Sequence, residues 1–172
     1  MTSPAPQDHA AMTTTALDPL HLEFWTRIAA TILCGGIIGL ERQLRGKPAG
    51  IRTSILICLG TCVFVTLAAS LSATTLDPTR VLGQVVTGIG FIGAGVIMSN
   101  EGLVKGVTSA AIIWVLAGIG AAIGLDQTPM ALAVTLVTVA VLVGVEVLES
   151  TFKKLRRGVH SRYRREVDFP ET

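Results

Sequence analysis

The chain has 172 residues, half of them hydrophobic and only 15% charged, with a formal net charge of +2 and a mean hydropathy of +0.62. Ordinary soluble domains carry about 25% charged residues, so the composition is that of a membrane protein. A near-neutral charge without a binding motif argues against a nucleic-acid partner, and the three histidines, His9, His21 and His160, all lie outside the apolar blocks, which leaves no catalytic constellation.

Those apolar blocks span residues 24–40, 53–71, 81–98, 107–125 and 128–148. A helix needs about 20 apolar residues to cross a hydrocarbon core of about 30 Å. The expected fold is therefore all-α: a polytopic membrane bundle of about five transmembrane helices over 22–150, with a disordered tail at 1–21 and a basic juxtamembrane tail at 151–172.

The first twenty residues contain two aspartates and no Lys or Arg. They lack the basic and apolar regions of a cleavable signal. In the first span Glu23 and Arg27 stand at i,i+4, acid first, and read as an interfacial pair beside Trp25. The linker 41–50 that follows holds Glu41, Arg42, Arg45 and Lys47, with Arg52 at its edge. Glu41 and Arg52 adjoin apolar helices, where ionisable groups tend to be paired, and a Glu41–Arg52 pair would close a turn made by Pro48 and Gly50. Cys34, Cys58 and Cys62 lie in apolar blocks without histidine, so they read as packing residues and not as a metal site.

The third span opens with "DPTR", in which Asp77 is the expected N-cap, Pro78 the first helical residue and Arg80 the single basic residue of its linker. It continues into "TGIGFIGAGVI", where Gly88, Gly90 and Gly93 spell G-x-G-x-x-G. A dinucleotide site needs a preceding strand and an acid about 20 positions on. Glu101 comes too early and Asp126 too late. The glycines, with Gly83 and Gly95, instead suit close helix packing at the centre of the bundle. The alternative is a helix broken near 88–95, whose carbonyls line an ion path beside Gln84 and Thr87. Gly35 with Gly39, and Gly120 with Gly124, add small-xxx-small pairs in the first and fourth spans.

Asn100, Glu101, Lys105, Thr108 and Ser109 follow the third span and fall, by parity, on the same side as the 41–50 linker. Either a partner site or inner gate forms there, or the linkers simply snorkel to headgroups. Twelve of the fourteen basic residues lie in the 41–52 and 99–106 segments and the tail after Leu148. The positive-inside rule makes that side cytoplasmic, N-terminus out and C-terminus in. The tail itself reads as a binder of anionic headgroups.

Three stretches, "GGIIGLERQLRGKPAGIRTSILICLG", "DPTRVLGQVVTGIGFIGAGVIM" and "VKGVTSAAIIWVLAGIG", closely resemble the MgtC/SapB family of bacterial inner-membrane proteins across about residues 22–150. Ile92, Val107 and Ser109 depart conservatively from its pattern. The resemblance implies a non-enzymatic role in adaptation to low magnesium and, in pathogens, in virulence. That role is regulation of membrane partners such as the F-type ATP synthase, without cofactor. A homodimer is expected from the glycine faces. Longer members carry a soluble regulatory domain after the last span, where about two dozen residues follow here, so a short form is expected. The alternative is a transporter or channel for magnesium or another ion through the third span. Against it, magnesium is usually held by carboxylates, and no Asp lies in any span, while Glu146 sits near the inner end of the fifth.

Overall fold

A computed structural model describes residues 18–71, 78–100 and 103–151. Among them are five helices, α1 (Leu22–Leu44), α2 (Ile51–Leu71), α3 (Pro78–Gly95), α4 (Val107–Gly124) and α5 (Thr128–Thr151), and two short antiparallel strands between α3 and α4, β1 (Met98–Asn100) and β2 (Leu103–Lys105). Four stretches, Leu22–Leu44, Ile51–Ser70, Val107–Gly124 and Thr128–Leu148, are long and apolar enough to cross a membrane. The protein is an all-α, multi-pass membrane bundle. At 18 residues, α3 is about 27 Å long, close to the hydrocarbon thickness, and it carries Arg80, Gln84 and Thr87 among its apolar residues.

Among the described residues, those up to Leu136 form one compact unit and those from Val137 a second. Of the second, α5 continues as an apolar helix to Thr151. Within the first, α2 lies between α1 and α4, and the glycine pairs make that arrangement possible. A Cβ on Gly35 would lie 2.9 Å from the Ile55 Cα, and one on Gly39 2.6 Å from the Ile51 Cα. On the other side of α2, a Cβ on Gly120 would collide with the Cys58 carbonyl, and one on Gly124 would come within 2.8 Å of the Cys62 carbonyl. Lipid gives helices no hydrophobic reason to meet, so these backbone approaches supply the van der Waals contact that holds the bundle together. Cys34, Ile38, Cys58, Ile113, Leu116 and Ile123 are wholly buried between the three helices. All three cysteines are free and buried. The Cys58 thiol donates to the Leu116 carbonyl at 3.2 Å, an additional tie between α2 and α4.

The third span departs from its expected place at the bundle's centre. Helix α3 packs on α4, where Gly93 faces Ala110, and touches α2 more lightly. Its other glycines, Gly83, Gly88, Gly90 and Gly95, have no atom of another element within 4 Å of where a Cβ would stand. The helix is also unbroken from Pro78 to Gly95, and it stops before the expected end at Met98. There the chain turns into the β1–β2 hairpin, which delivers Gly106 in a left-handed conformation, φ +93°. A side chain at Gly106 would run into the Val96 carbonyl, so only glycine lets α4 begin this close to the end of α3.

Candidate functional site

Buried charge gathers at the two ends of α1, and the chain terminates its helices so as to place it there. At the C-terminal end, Gly46 adopts φ +61°, its N–H bonds to the Gln43 carbonyl at 3.1 Å, and the Lys47 N–H bonds to the Arg42 carbonyl at 3.0 Å. This is a Schellman termination with glycine in the left-handed position. It leaves Glu41, Arg42 and Arg45 on the last turn, while Gln43 Oε1 reaches across the loop to accept from the Ile51 N–H, 3.4 Å away, at the start of α2.

Arg42 is 4% exposed and its Nη2 donates to Ser109 Oγ at 2.7 Å, tying the end of α1 to the first turn of α4. The Glu41 side chain is 9% exposed, and its Oε1 lies 2.7 Å from Arg45 Nε. That contact is an ion pair by distance but lacks hydrogen-bond alignment: neither Glu41 oxygen, nor Arg42 Nε, has an aligned hydrogen-bond partner. Buried polar atoms are nearly always satisfied. An acid and two guanidinium groups are thus gathered in a polar cluster at the bundle end, with Arg42 Nε and the Glu41 oxygens buried and not matched by aligned hydrogen bonds.

Other residues expected at this site are not buried with it. Lys47, Lys105 and Thr108 are exposed, Lys105 in the β2 strand opposite Met98. Asn100 ends β1, and Glu101 lies outside the described residues. The expected Glu41–Arg52 pair does not form: Arg45, one helical turn from Glu41, occupies the carboxylate, and Arg52 is exposed on α2. A partner on the same helix needs no loop to close, and the i,i+4 spacing already brings it within reach. In α3, Gln84 and Thr87 are exposed, and the Thr87 hydroxyl donates back to the Gly83 carbonyl at 3.0 Å. Arg80 is exposed in the first turn. Pro78 does open the helix, while Asp77 lies outside the described residues.

At the opposite end of α1, sequence reasoning missed a second cluster. Arg27 is buried against α2 and α4. Its Nη1 donates to the Gly124 carbonyl at 3.1 Å and to Thr66 Oγ1 at 3.5 Å, and its Nη2 is 2.5 Å from Asp126 Oδ1. A cation on the last carbonyls of α4 is favoured by the helix dipole. Asp126 occupies the left-handed position of a Schellman termination, φ +62°, with the Gln127 N–H bonded to the Ala122 carbonyl at 2.8 Å. The legible signal was a lone aspartate immediately after an apolar span, where glycine is usual.

The relative sizes of these contacts can be tested. The Asp126 side chain is 62% exposed, so its ion pair is worth at most about 1 kcal/mol, and glycine would relieve a backbone cost of similar size. Arg27→Leu instead removes charge-assisted hydrogen bonds worth about 1.5–3 kcal/mol each. Thermal midpoints in detergent should fall little for Asp126→Gly and clearly for Arg27→Leu. The reverse order would show that the carboxylate, and not the helix end, holds the arginine.

Comparison with known proteins identifies the company this arrangement keeps. The MgtC family matches residues 28–151. The chain is 40% identical over 146 residues to "Putative magnesium transporter YhiD" of Escherichia coli K12, covering 80% of this chain and 66% of that protein. It is 44% identical over 110 residues to "Protein MgtC" of Salmonella typhimurium LT2, covering 64% and 47%. It is also 38% identical over 127 residues to an uncharacterized protein of Haemophilus influenzae Rd, covering 69% and 53%. The matched segments thus span about half to two thirds of these relatives. No solved structure matches the chain.

Proposed function

We propose, because this chain belongs to the MgtC family, that it serves adaptation to low magnesium in the bacterial inner membrane as a non-enzymatic regulator of a membrane partner such as the F-type ATP synthase. The N-terminus is outside and the Glu41 end is cytoplasmic. There the cluster of Glu41, Arg42 and Arg45, together with the exposed Lys47 and Lys105, meets the partner. In a pathogen the same role would support virulence.

The observation that carries this reading is the distribution of buried charge. Arg27 and Arg42 mark the two ends of α1, and between them Cys34, Ile38, Cys58, Ile113 and Leu116 are buried together with the hydroxyl residues Thr31 and Ser54, with no acid among the buried residues described. Magnesium is usually held by one or two carboxylates, which this interior does not supply. Transport remains the second reading because Gln84, Thr53 and Thr61 line a groove between α2 and α3 and one relative's name describes a magnesium transporter. A homodimer accords with α3, where Gly83, Thr87, Gly90 and Ala94 form an exposed small-residue face at i,i+4,i+7,i+11, of the kind that lets two helices approach closely.

Magnesium uptake by liposomes containing the purified protein separates the two readings. The expected result is no uptake above empty liposomes, together with restored low-magnesium growth when the gene is returned to a deletion strain, and loss of that growth in an Arg45→Gln, Lys105→Gln variant still present in the membrane. Uptake that is lost on Gln84→Leu but unaffected by the Arg45 and Lys105 changes would overturn the regulator in favour of a transporter.

A further inference from the structure

The groove between α2 and α3 encloses about 680 Å³. Its α2 wall is the stripe Thr53, Leu56, Gly60 and Phe64, and Gln84 and Gly88 stand on the α3 wall. Neither Gly60 nor Gly88 has an atom of another element within 4 Å of its Cβ position, so the two helices are held apart here and the space between them is open. From Thr53 to Phe64 the stripe runs about 17 Å along the helix, close to half of a hydrocarbon core about 30 Å thick. That is the depth of one leaflet, and so the length of one acyl chain.

The charge at the groove's mouth indicates what kind of lipid fits. Arg52 stands four residues before Leu56 and eight before Gly60, so it shares their helical face at the level of Thr53, where the groove's α2 wall ends. It is exposed, and Arg45 already holds the carboxylate to which it would otherwise turn. It also lies in the first turn of α2, where the helix dipole favours an anion. Guanidinium binds phosphate through paired donors, and the next residue, Thr53, lines this end of the groove. We propose that this groove is a binding site for an anionic phospholipid, with one acyl chain between α2 and α3 and the phosphate on Arg52. The site is independent of any magnesium-related role.

Quenching by brominated lipids tests the site at its own position. A reporter protein carrying Phe64→Trp, with Trp25→Phe and Trp114→Phe to remove the native fluorophores, is placed in vesicles of phosphatidylcholine and phosphatidylglycerol in which one or the other lipid is brominated on its acyl chains. Phosphatidylglycerol is expected to associate with the reporter about fivefold more strongly, the equivalent of about 1 kcal/mol. Arg52→Gln should bring that ratio to one, and Arg52→Lys should keep most of it. Gly60→Leu, whose Cβ has no atom within 4 Å and whose side chain occupies the groove, should weaken quenching by both lipids. A ratio of one in the parent reporter would mean ordinary annular lipid and would overturn the site. Failure of either brominated lipid to quench would overturn it as well, because protein would then be covering the groove.

Discussion

Gly120→Leu should remove the folded protein from the membrane, whereas Gly90→Leu should leave the single chain folded. A Cβ at Gly120 already overlaps the Cys58 carbonyl, and a backbone atom cannot turn aside as a flexible side chain can. Accommodating leucine requires α4 to move off α2, breaking the Cys58–Leu116 hydrogen bond and opening the interior around Ile113 and Leu116. Overpacking of side chains alone costs about 1–3 kcal/mol, and here the obstacle is main chain. At Gly90 no atom of another element lies within 4 Å, and leucine is the better helix former by about 0.8 kcal/mol. Size-exclusion profiles and thermal midpoints in detergent should therefore show aggregation or loss for Gly120→Leu and a monodisperse, equally stable Gly90→Leu. If the exposed face of α3 joins two copies, Gly90→Leu should also abolish cross-linked dimers. Instability of the Gly90→Leu monomer would contradict the open position of α3.

The contrast between those glycines explains what the sequence could and could not reveal. The pairs Gly35/Gly39 and Gly120/Gly124 are spaced to present one small face, and the structure sets both pairs against α2. The denser cluster in α3 was more conspicuous but misleading, since glycine count does not say whether a neighbour is present on the face that glycine opens. Apolar runs fixed the helices well but not their ends. Val96, Ile97 and Met98 prolong the hydrophobic block, yet the helix stops at Gly95, because a hairpin and the left-handed Gly106 must follow. Charged partners were harder still. Glu41 had two arginines in range by sequence, and the choice fell to Arg45 through helical spacing. Arg27 found Asp126, 99 positions away in the chain, through a helix termination that no local pattern of Arg27 announces.

Glu41→Gln should be the most damaging substitution in the polar cluster, more so than Arg42→Met, although Arg42 is the more deeply buried of the two. The cluster holds one acid and two guanidinium groups, Arg42 and Arg45. Removing the acid leaves two like charges within three residues of one another, one of them 4% exposed. Leaving a buried charge uncompensated costs about 3–5 kcal/mol. Arg42→Met leaves Glu41 with Arg45, so the remaining charges balance, and the principal loss is the Arg42–Ser109 hydrogen bond, about 1.5–3 kcal/mol for a charged donor. Combining Glu41→Gln with Arg42→Met removes the acid and the buried base together, so the pair should cost clearly less than the sum of the single changes. Thermal midpoints of the four proteins in detergent measure that coupling. Strict additivity would show that Glu41 does not serve to neutralise Arg42. Low-magnesium growth of the same four adds the functional arm. Should the cluster be the partner site, the double variant should regain stability without regaining growth, since the fold tolerates loss of the buried acid and base together but recognition requires their charges.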